Sequence, residues 1–344
     1  MKHKKAGALN VLVEALKKSS ITTISFVLLI MIVIASVSSP YFLDSYNIQA
    51  LIRDLAFVGM IGMAQSLLLL VGELDLSVGK IASLCGILAG MMMVTYGVDP
   101  YLALGLALIL GLVFGIINGL LITQLRLNAM VATIGMQGVY GGINLVLTKG
   151  KAITGIPESI YILGKGTIGF IPIPFFFTIA VAIFILFLVK KTKTGRYIYA
   201  IGNNKEAAKI LGIKVDRIRV MLYAIVGLIS ALAGILYVAR LGSSQSSIGE
   251  SWPMNSIASA VIGGVALTGG VGNPVGALIG SAIISIISNL IVLLGVSVYW
   301  QSAVSGFVVV LAISFSSIST ILAEKRQKKV KLSVTEEKGQ GETS

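Results

Sequence analysis

Two acidic side chains, Glu73 and Asp75, are separated by one residue in a short polar segment that has long apolar stretches on both sides. A carboxylate at membrane depth is energetically costly, and it is usually either functional or paired. The alternative is an ordinary short cytoplasmic turn, in which Asp75 or Ser77 caps the helix that follows. Both roles can hold together, because a broken helix needs caps. We therefore predict that Glu73, Asp75 and Ser77 line a polar pathway through the membrane.

Uncharged polar side chains supply further candidates for this pathway. They lie within or beside otherwise apolar stretches, where they can contact either a polar solute or another helix. The alternative for each one is an ordinary hydrogen bond between helices. The candidates are Asn118, Asn128, Thr133, Gln137 and Asn289.

Catalytic and metal-binding chemistry has little material in this chain. The only histidine is His3 and the only cysteine is Cys85, so we predict no metal site, no catalytic residue and no cofactor. A nucleotide-binding P-loop needs GxxxxGK followed by Ser or Thr, and the sequence contains no such run. We expect that the chain is not an enzyme and that another chain carries out any ATP hydrolysis.

The composition places the chain in a membrane, because hydrophobic residues make up 56% of it and charged residues 12%. A transmembrane helix needs roughly 20 apolar residues. About ten stretches qualify, which predicts an all-α polytopic membrane protein with some broken or re-entrant helices. The eighth stretch is short and glycine-rich, and either crosses the membrane or is re-entrant. The predicted spans are centred on residues 21–37, 56–70, 78–98, 101–123, 130–147, 170–189, 220–239, 256–267, 275–296 and 302–318.

Positive charges are distributed unevenly along this topology. With ten spans, 22 of the 27 Lys and Arg residues fall in the termini and the even-numbered loops, and five fall in the odd-numbered loops. Positive residues favour the cytoplasmic side, so both termini are predicted to be cytoplasmic. The sequence contains no basic stripe interleaved with aromatic residues, so it gives no indication of nucleic-acid binding. The predicted regions are an N-terminal tail (1–20), a transmembrane domain (21–320) and a disordered C-terminal tail (321–344).

Glycine spacing predicts close helix packing and a candidate internal repeat. Gly111, Gly115 and Gly119 form a double GxxxG pattern in the fourth span, for which we prefer a packing role. Four identities at an offset of 197 residues relate the stretch 70–79 to the stretch 267–276, and both stretches join apolar segments through a glycine-rich break. This recurrence would give two related halves.

A polar loop, residues 190–219, separates two long apolar stretches and holds nine of the 27 basic residues. Its middle has helix-forming composition, because Asn203 or Asn204 can cap a helix there. Glu206 would fall in the first turn and Gly212 would end the helix. A short, structured, basic loop between spans favours a docking site for another protein. The alternative is a solvated topology signal.

Four stretches, in this order, resemble the permease subunits of ribose-type bacterial ABC importers. They are GELDLSVG (72–79), LNAMVATIGMQGVYGGINLVLTKGKAI (127–153), TGRYIYAIGNNKEAAKILGI (194–213) and VIGGVALTGGVGNPVGALIG (261–280). The resemblance implies a multi-pass protein of the bacterial cytoplasmic (inner) membrane that pairs with a second permease, identical or related. It also implies cytosolic ABC ATPase subunits and a periplasmic or lipid-anchored solute-binding protein as partners.

The resemblance gives the basic loop a role. Permeases of this family carry a short cytoplasmic helix that sits in a cleft of the ATPase, and this helix corresponds to residues 204–211. Ala207 and Ala208 would offer the small surface needed for close docking. The residues expected to couple the permease to the ATPase are Gly202, Asn203, Asn204, Glu206, Ala207, Ala208, Leu211 and Gly212.

The chain departs from the family pattern at polar positions. Glu73 stands where glycine is common, and Asn128 stands where many members have proline. Val271 replaces a basic residue that is often found there. These changes leave the identity of the sugar open, and they also fit one member of an unlike pair of permeases.

The leading hypothesis is a permease subunit that forms the pathway for a small polar solute, a monosaccharide such as ribose or a related sugar. The alternative is an ion-coupled secondary transporter that uses Glu73 and Asp75 as its ionisable pair, in which case the basic loop has no partner. A membrane enzyme ranks third, because a nucleophile–base pair is lacking.

Overall fold

The structure is a computed structural model that describes residues 20–297 and, beyond them, residues 300, 303, 304, 306, 307, 310, 311 and 314. The predicted tails, up to residue 19 and from residue 321, lie outside this part. The described chain is mostly helical. Its helices are α1 (Ser20–Ser38), α2 (Ser45–Leu69), α3 (Val78–Val94), α4 (Pro100–Gln124), α5 (Ala129–Thr148), α6 (Tyr161–Lys165), α7 (Ile173–Lys191), α8 (Lys193–Asn203), α9 (Lys205–Ile210), α10 (Val215–Leu241), α11 (Trp252–Ile262) and α12 (Pro274–Leu293). A 3₁₀ turn at Glu158–Ile160 precedes α6, and a small antiparallel hairpin of β1 (Thr167–Ile168) and β2 (Ile171–Pro172) precedes α7.

Seven of the described helices are long and apolar enough to cross a membrane: α1, α2, α4, α5, α7, α10 and α12. Helix α3 is apolar but shorter, with 17 residues. The predicted span at 256–267 falls on α11, which has only 11 residues and is followed by a non-helical glycine-rich segment. That length favours a broken helix over a complete crossing. The predicted span at 302–318 lies mostly outside the described residues, so the total of about ten stays a prediction.

Helix α10 lies at the centre of the bundle and packs against α2, α3, α4 and α6. Its contact with α4 depends on the predicted GxxxG glycines. A Cβ atom on Gly115 would collide with the carbonyl of Tyr223, and one on Gly119 would lie 2.8 Å from the Val220 Cα atom. Small residues allow two backbones to approach this closely. The packing role predicted for this glycine pattern is confirmed.

The candidate repeat corresponds to two similar arrangements in space. In each arrangement a break joins two helices: residues 70–77 join α2 to α3, and residues 263–273 join α11 to α12. Shifting α1 by 197 residues places it on 217–235, within α10. Helix α10 packs on α3, and α1 packs on α12. The helices related by the offset therefore make equivalent contacts, which supports two related halves.

Alternate loops meet at opposite ends of the bundle. At one end, the Gly270 N–H donates a hydrogen bond to the Leu70 carbonyl at 2.8 Å, so the two breaks touch each other. At the other end, Ile153 and Ser244 form an isolated β-bridge between two long loops. This grouping agrees with the predicted alternation of loops. We call the end formed by the segments 70–77, 192–214 and 263–273 the basic end.

Candidate functional site

Asp75 lies in the break between α2 and α3, and it is fully buried. Its Oδ1 atom accepts hydrogen bonds from the Ser77 backbone N–H at 2.7 Å and from the Ser77 hydroxyl at 2.6 Å. Its Oδ2 atom accepts a bond from the Asn118 amide at 3.1 Å, and Asn118 Oδ1 accepts one from the Tyr140 hydroxyl at 3.0 Å. The structure thus brings three predicted pathway residues together and adds Tyr140, which sequence reasoning missed.

Thr133 holds the same break from the side of α5. Its hydroxyl oxygen accepts a hydrogen bond from the Leu76 N–H at 3.2 Å. Asp75, Ser77, Asn118 and Thr133 are all 0% exposed. Ser77 occupies the N-cap position of α3, but its side chain makes no capping bond. In this conformation the four side chains therefore fix the shape of the break instead of facing an open cavity.

Glu73 is paired with a cation. Its Oε1 atom accepts a hydrogen bond from Arg219 Nε at 2.5 Å, and Arg219 Nη1 donates to Asp216 at 3.1 Å. Arg219 is only 6% exposed, so water screens this pair weakly. The partners are 146 residues apart in sequence, and no local pattern could have revealed the pair. Glu73 therefore connects the first break to the start of α10.

Lys205, at the start of α9, interacts electrostatically with the same group of charges. Burial of its ammonium group and the positive charge of Arg219 lower the pKa of Lys205, while Glu73 and Asp216 partly oppose that shift. The charge of Lys205, at the start of α9, therefore interacts with the ion pair between Glu73 and Arg219.

The predicted helix in the basic loop is present as α9, and its ends have the predicted signals. Asn204 is the N-cap, and its side chain accepts a hydrogen bond from the Ala207 N–H at 2.9 Å. Gly212 has a φ of 79°, and its N–H donates to the Lys209 carbonyl at 2.9 Å. A left-handed residue after the last turn is a common way to end a helix. The predicted helix and its two end signals are therefore confirmed, while the role of this helix in coupling stays a prediction.

The orientation of α9 corrects one part of the docking prediction. Ala207 is exposed, but Ala208 is buried at 2% and packs within the hydrophobic core of the chain. Ala208 therefore offers no surface to a partner. The large exposed groups at this helix end are Ile210 at 86% and Leu211 at 78%. Glu206 is also exposed, and it pairs with Lys209 at 3.1 Å.

The segment before α9 is anchored to both breaks. A Cβ atom on Gly202 would collide with the Leu70 carbonyl of the first break and with the Gly270 backbone of the second. The Tyr199 hydroxyl donates to the Gly272 carbonyl at 2.8 Å. Asn203, the last residue of α8, also lies against Gly270. Gly202 thus packs against both breaks, and Asn203 contacts the second break while remaining exposed, so the predicted coupling residues do not all face outward.

Three other predicted pathway residues lie elsewhere. Asn128 is exposed and caps α5, because its side chain accepts a hydrogen bond from the Met130 N–H at 2.9 Å. Asn289 exchanges hydrogen bonds with Asn47 at 2.8 and 3.1 Å, which ties α12 to α2 beside a cavity of about 630 Å³. Gln137 lies on α5 and lines a separate cavity of about 530 Å³. The predicted pathway residues therefore do not form a single cluster.

Comparisons with known proteins place this architecture in a family. Residues 47–313 match the family model described as branched-chain amino acid transport system / permease component. The chain is 43% identical over 288 residues to the ribose import permease protein RbsC of Bacillus subtilis (strain 168), covering 83% of this chain and 89% of that protein. It is 35% identical over 290 residues to RbsC of Escherichia coli (strain K12), covering 83% and 90%.

A third relative has a different name. The autoinducer 2 import system permease protein LsrC of Photorhabdus laumondii is 33% identical over 273 residues, covering 78% of this chain and 81% of that protein. No solved structure gives a significant match. The chain therefore belongs to the branched-chain amino acid transport system permease family and, as its four motifs predict, to the ribose-type ABC importer permeases, which are multi-pass proteins of the inner membrane.

Proposed function

We propose that the chain is the membrane-spanning subunit of an ATP-driven importer for a small polar solute, a monosaccharide such as ribose or a related sugar. The relatives that carry this proposal are ribose and autoinducer 2 import permeases. The observation in the structure that carries it is the contact of one basic segment with both breaks, at Gly202 against Leu70 and Gly270. A secondary transporter has no need for an external segment built in this way.

In this proposal, a cytosolic ATPase docks on the exposed side of α9, where Ala207, Ile210 and Leu211 are available. Movement of the ATPase displaces α8 and α9. Because Gly202 has no space between the two breaks, that displacement must move the breaks as well. The buried Glu73–Arg219 pair adds a second rigid connection between the first break and α10. Coupling thus needs no flexible element between the docking surface and the broken helices.

The remaining partners and the orientation follow from the same proposal. The basic end faces the cytoplasm with both chain termini, and the regions 1–20 and 321–344 flank a transmembrane domain of residues 21–320. A second permease, identical or related, completes the pathway. A periplasmic or lipid-anchored binding protein delivers the solute at the opposite end. The chain itself hydrolyses no ATP, because the ATPase subunits do so.

The ion-coupled alternative is not favoured. It requires Glu73 and Asp75 to exchange an ion with the solution during transport. Glu73 is instead paired with Arg219, and the fully buried Asp75 accepts three hydrogen bonds. The relatives named above are permease subunits of ABC importers.

Co-purification tests the docking surface directly. The tagged chain would be expressed with its natural partners and isolated in mild detergent as wild type, as Ile210→Asp and as Ile168→Asp. Both isoleucines are exposed, at 86% and 61%, but Ile168 lies in the β-hairpin at the opposite end. We expect a cytosolic ATPase to co-purify with the wild type and with I168D, and to be lost from I210D. Equal recovery with both variants would contradict docking on α9, and no ATPase with any of them would contradict the importer itself.

A further inference from the structure

A cavity of about 530 Å³ lies between α3, α5 and the segment that leads into α11. This volume is within the range of small-molecule sites, ~300–1,000 Å³. Its wall combines charged and polar groups with glycines of α5. The polar lining residues are Lys80, Gln137, Ser246, Ser247 and Glu250.

The cavity forms because the segment after α10 runs alongside α3. The Ser244 hydroxyl donates to the Gly86 carbonyl at 2.9 Å, and Gly249 meets Gly79 so closely that a Cβ atom at Gly79 would collide with the Gly249 carbonyl. These two contacts fix the segment at both ends along the helix. The residues between them face Lys80, whose Nζ atom donates to the Ser246 carbonyl at 3.2 Å.

The α5 side of the cavity is kept open by glycine. A Cβ atom on Gly138 would meet no other atom within 4 Å, and one on Gly141 would make only ordinary contact with the Lys80 side chain at 3.7 Å. Larger residues at these positions would occupy the space in front of Gln137. The glycines of this helix therefore leave room for a small molecule beside a polar wall.

The charges of this cavity are not neutralised by each other. Within the described residues, neither Lys80 nor Glu250 forms an ion pair, and Lys80 has one hydrogen-bond partner for three donors. A lysine near the start of an apolar helix is costly unless it has a partner or reaches water. This differs from Asp75, whose two carboxylate oxygens both accept hydrogen bonds, and from Glu73, whose Oε1 atom is paired with Arg219.

We propose that this cavity is a contact site for the solute during passage, and that it recognises a polyhydroxylated compound of the sugar class. Each sugar hydroxyl can donate and accept a hydrogen bond. Lys80 only donates, ionised Glu250 only accepts, and the Gln137 amide does both. The three side chains together match a row of neighbouring hydroxyls, and hydrogen bonds to charged groups are the stronger ones. This inference rests on the proposed function, because it assigns the solute site of that same importer.

Transport by the complete importer tests the site. The chain would be reconstituted in proteoliposomes with its ATPase and binding protein, and ATP-driven uptake of D-ribose, D-xylose and D-galactose would be measured. We expect Lys80→Met and Glu250→Gln to lower uptake about 10-fold, because each removes a hydrogen bond from a charged group. ATPase activity should stay close to that of the wild type, because the proposed coupling contacts involve other residues. Lys80→Arg should retain most of the uptake.

Matched controls separate a solute contact from a structural role. Lys151→Met and Glu158→Gln change exposed charges outside this cavity, and they should leave the ratio of ribose to galactose uptake unchanged. K80M and E250Q should also change the ratio of ribose to galactose uptake, which a purely structural defect would not do. If the wild-type complex imports sugar and the K80M and E250Q variants have the same uptake rate and the same sugar preference, the solute site is wrong. The proposed function would not be affected by that result. A wild-type complex that imports none of the three sugars would overturn the sugar assignment in the proposed function as well.

A second measurement does not depend on the folding of a charge variant. Cys85, the only cysteine, is buried, so Ser247→Cys can be introduced together with Cys85→Ser as a single exposed thiol in the cavity. We expect a membrane-impermeant thiol reagent to modify the new cysteine, and the transported sugar to slow that modification several-fold. The C85S protein without the new cysteine is the control. Modification at the same rate with and without sugar would contradict the site.

Discussion

Two polar regions lie within a few residues of each other on the first break and α3, and they differ in how their groups are satisfied. In the closed region, Asp75 is fully buried and accepts bonds from Ser77 and Asn118. In the open region, Lys80 and Glu250 line a cavity without an ion pair among the described residues. The comparison indicates that polarity within the membrane has two uses: satisfied groups hold a helix break in shape, and incompletely satisfied groups are available to a solute.

The largest effect is expected from removal of the cation that pairs with Glu73. Arg219→Met leaves a buried carboxylate without its partner, which costs about 3–5 kcal/mol of stability. We expect a lower thermal unfolding midpoint in detergent and loss of transport. The double variant Glu73→Gln/Arg219→Met removes both charges and should recover most of the stability. A double variant as unstable as R219M would show that the unpaired carboxylate of Glu73 does not cause the lower stability of R219M.

Removal of the neutral donor to Asp75 should have a somewhat smaller effect. Asn118→Leu takes one hydrogen bond from the carboxylate and one acceptor from Tyr140. Leaving a buried polar group without its partner costs about 1–3 kcal/mol. We expect thermal unfolding in detergent to report this loss. Asn128→Ser is the comparison, because it replaces an exposed N-cap residue by another residue type that caps helices well. Destabilisation by Asn128→Ser as large as that by Asn118→Leu would contradict a stabilising role for the closed region.

A smaller effect on stability, with a clear effect on coupling, is expected at Gly202. Gly202→Ala introduces a Cβ atom against the backbone of both breaks, and overpacking of this kind costs about 1–3 kcal/mol. We expect ATP hydrolysis to continue while sugar uptake falls. Gly105→Ala adds the same methyl group on α4, where no atom lies within 4 Å and which is not part of the solute cavity, so it should not alter the ratio of uptake to hydrolysis. Coupling that is intact in G202A would contradict the transmission of movement through this contact.

The smallest change in stability is expected in the open region. Lys80→Met should shift the free energy of unfolding by less than about 0.5 kcal/mol, because its ammonium group is not part of a buried network. Thermal unfolding of K80M and N118L in the same experiment compares the stability losses of the two variants. A loss of stability in K80M as large as that in N118L would place Lys80 in the same structural class as Asp75.

Local signals in the sequence predicted the local structure well. Asn204 and Gly212 bound α9 as their residue types indicate, and the glycines at 111, 115 and 119 pack against α10. The break with its acidic residues was also predicted. These features depend on residues that are close in sequence, where capping and helix periodicity apply directly.

Contacts between distant segments could not be predicted in this way. Glu73 was expected to be a pathway acid, and its pairing with Arg219 depends on how α10 is placed against the first break. Ala208 was expected to face a partner, and its burial depends on the fold of the whole loop. Lys80, the third residue of α3, was not among the predicted pathway residues. A lysine directly before a long apolar run was the one signal that could have drawn attention to the open region.

The most direct test of the central claim is solute accumulation by the complete importer in proteoliposomes without any ion gradient. The account predicts that D-ribose or a related sugar accumulates only when ATP, the ATPase and the binding protein are present, and that Ile210→Asp abolishes this accumulation. Accumulation by the chain alone, driven by a proton or sodium gradient and lost in Glu73→Gln or Asp75→Asn, would contradict the account and establish the ion-coupled transporter instead.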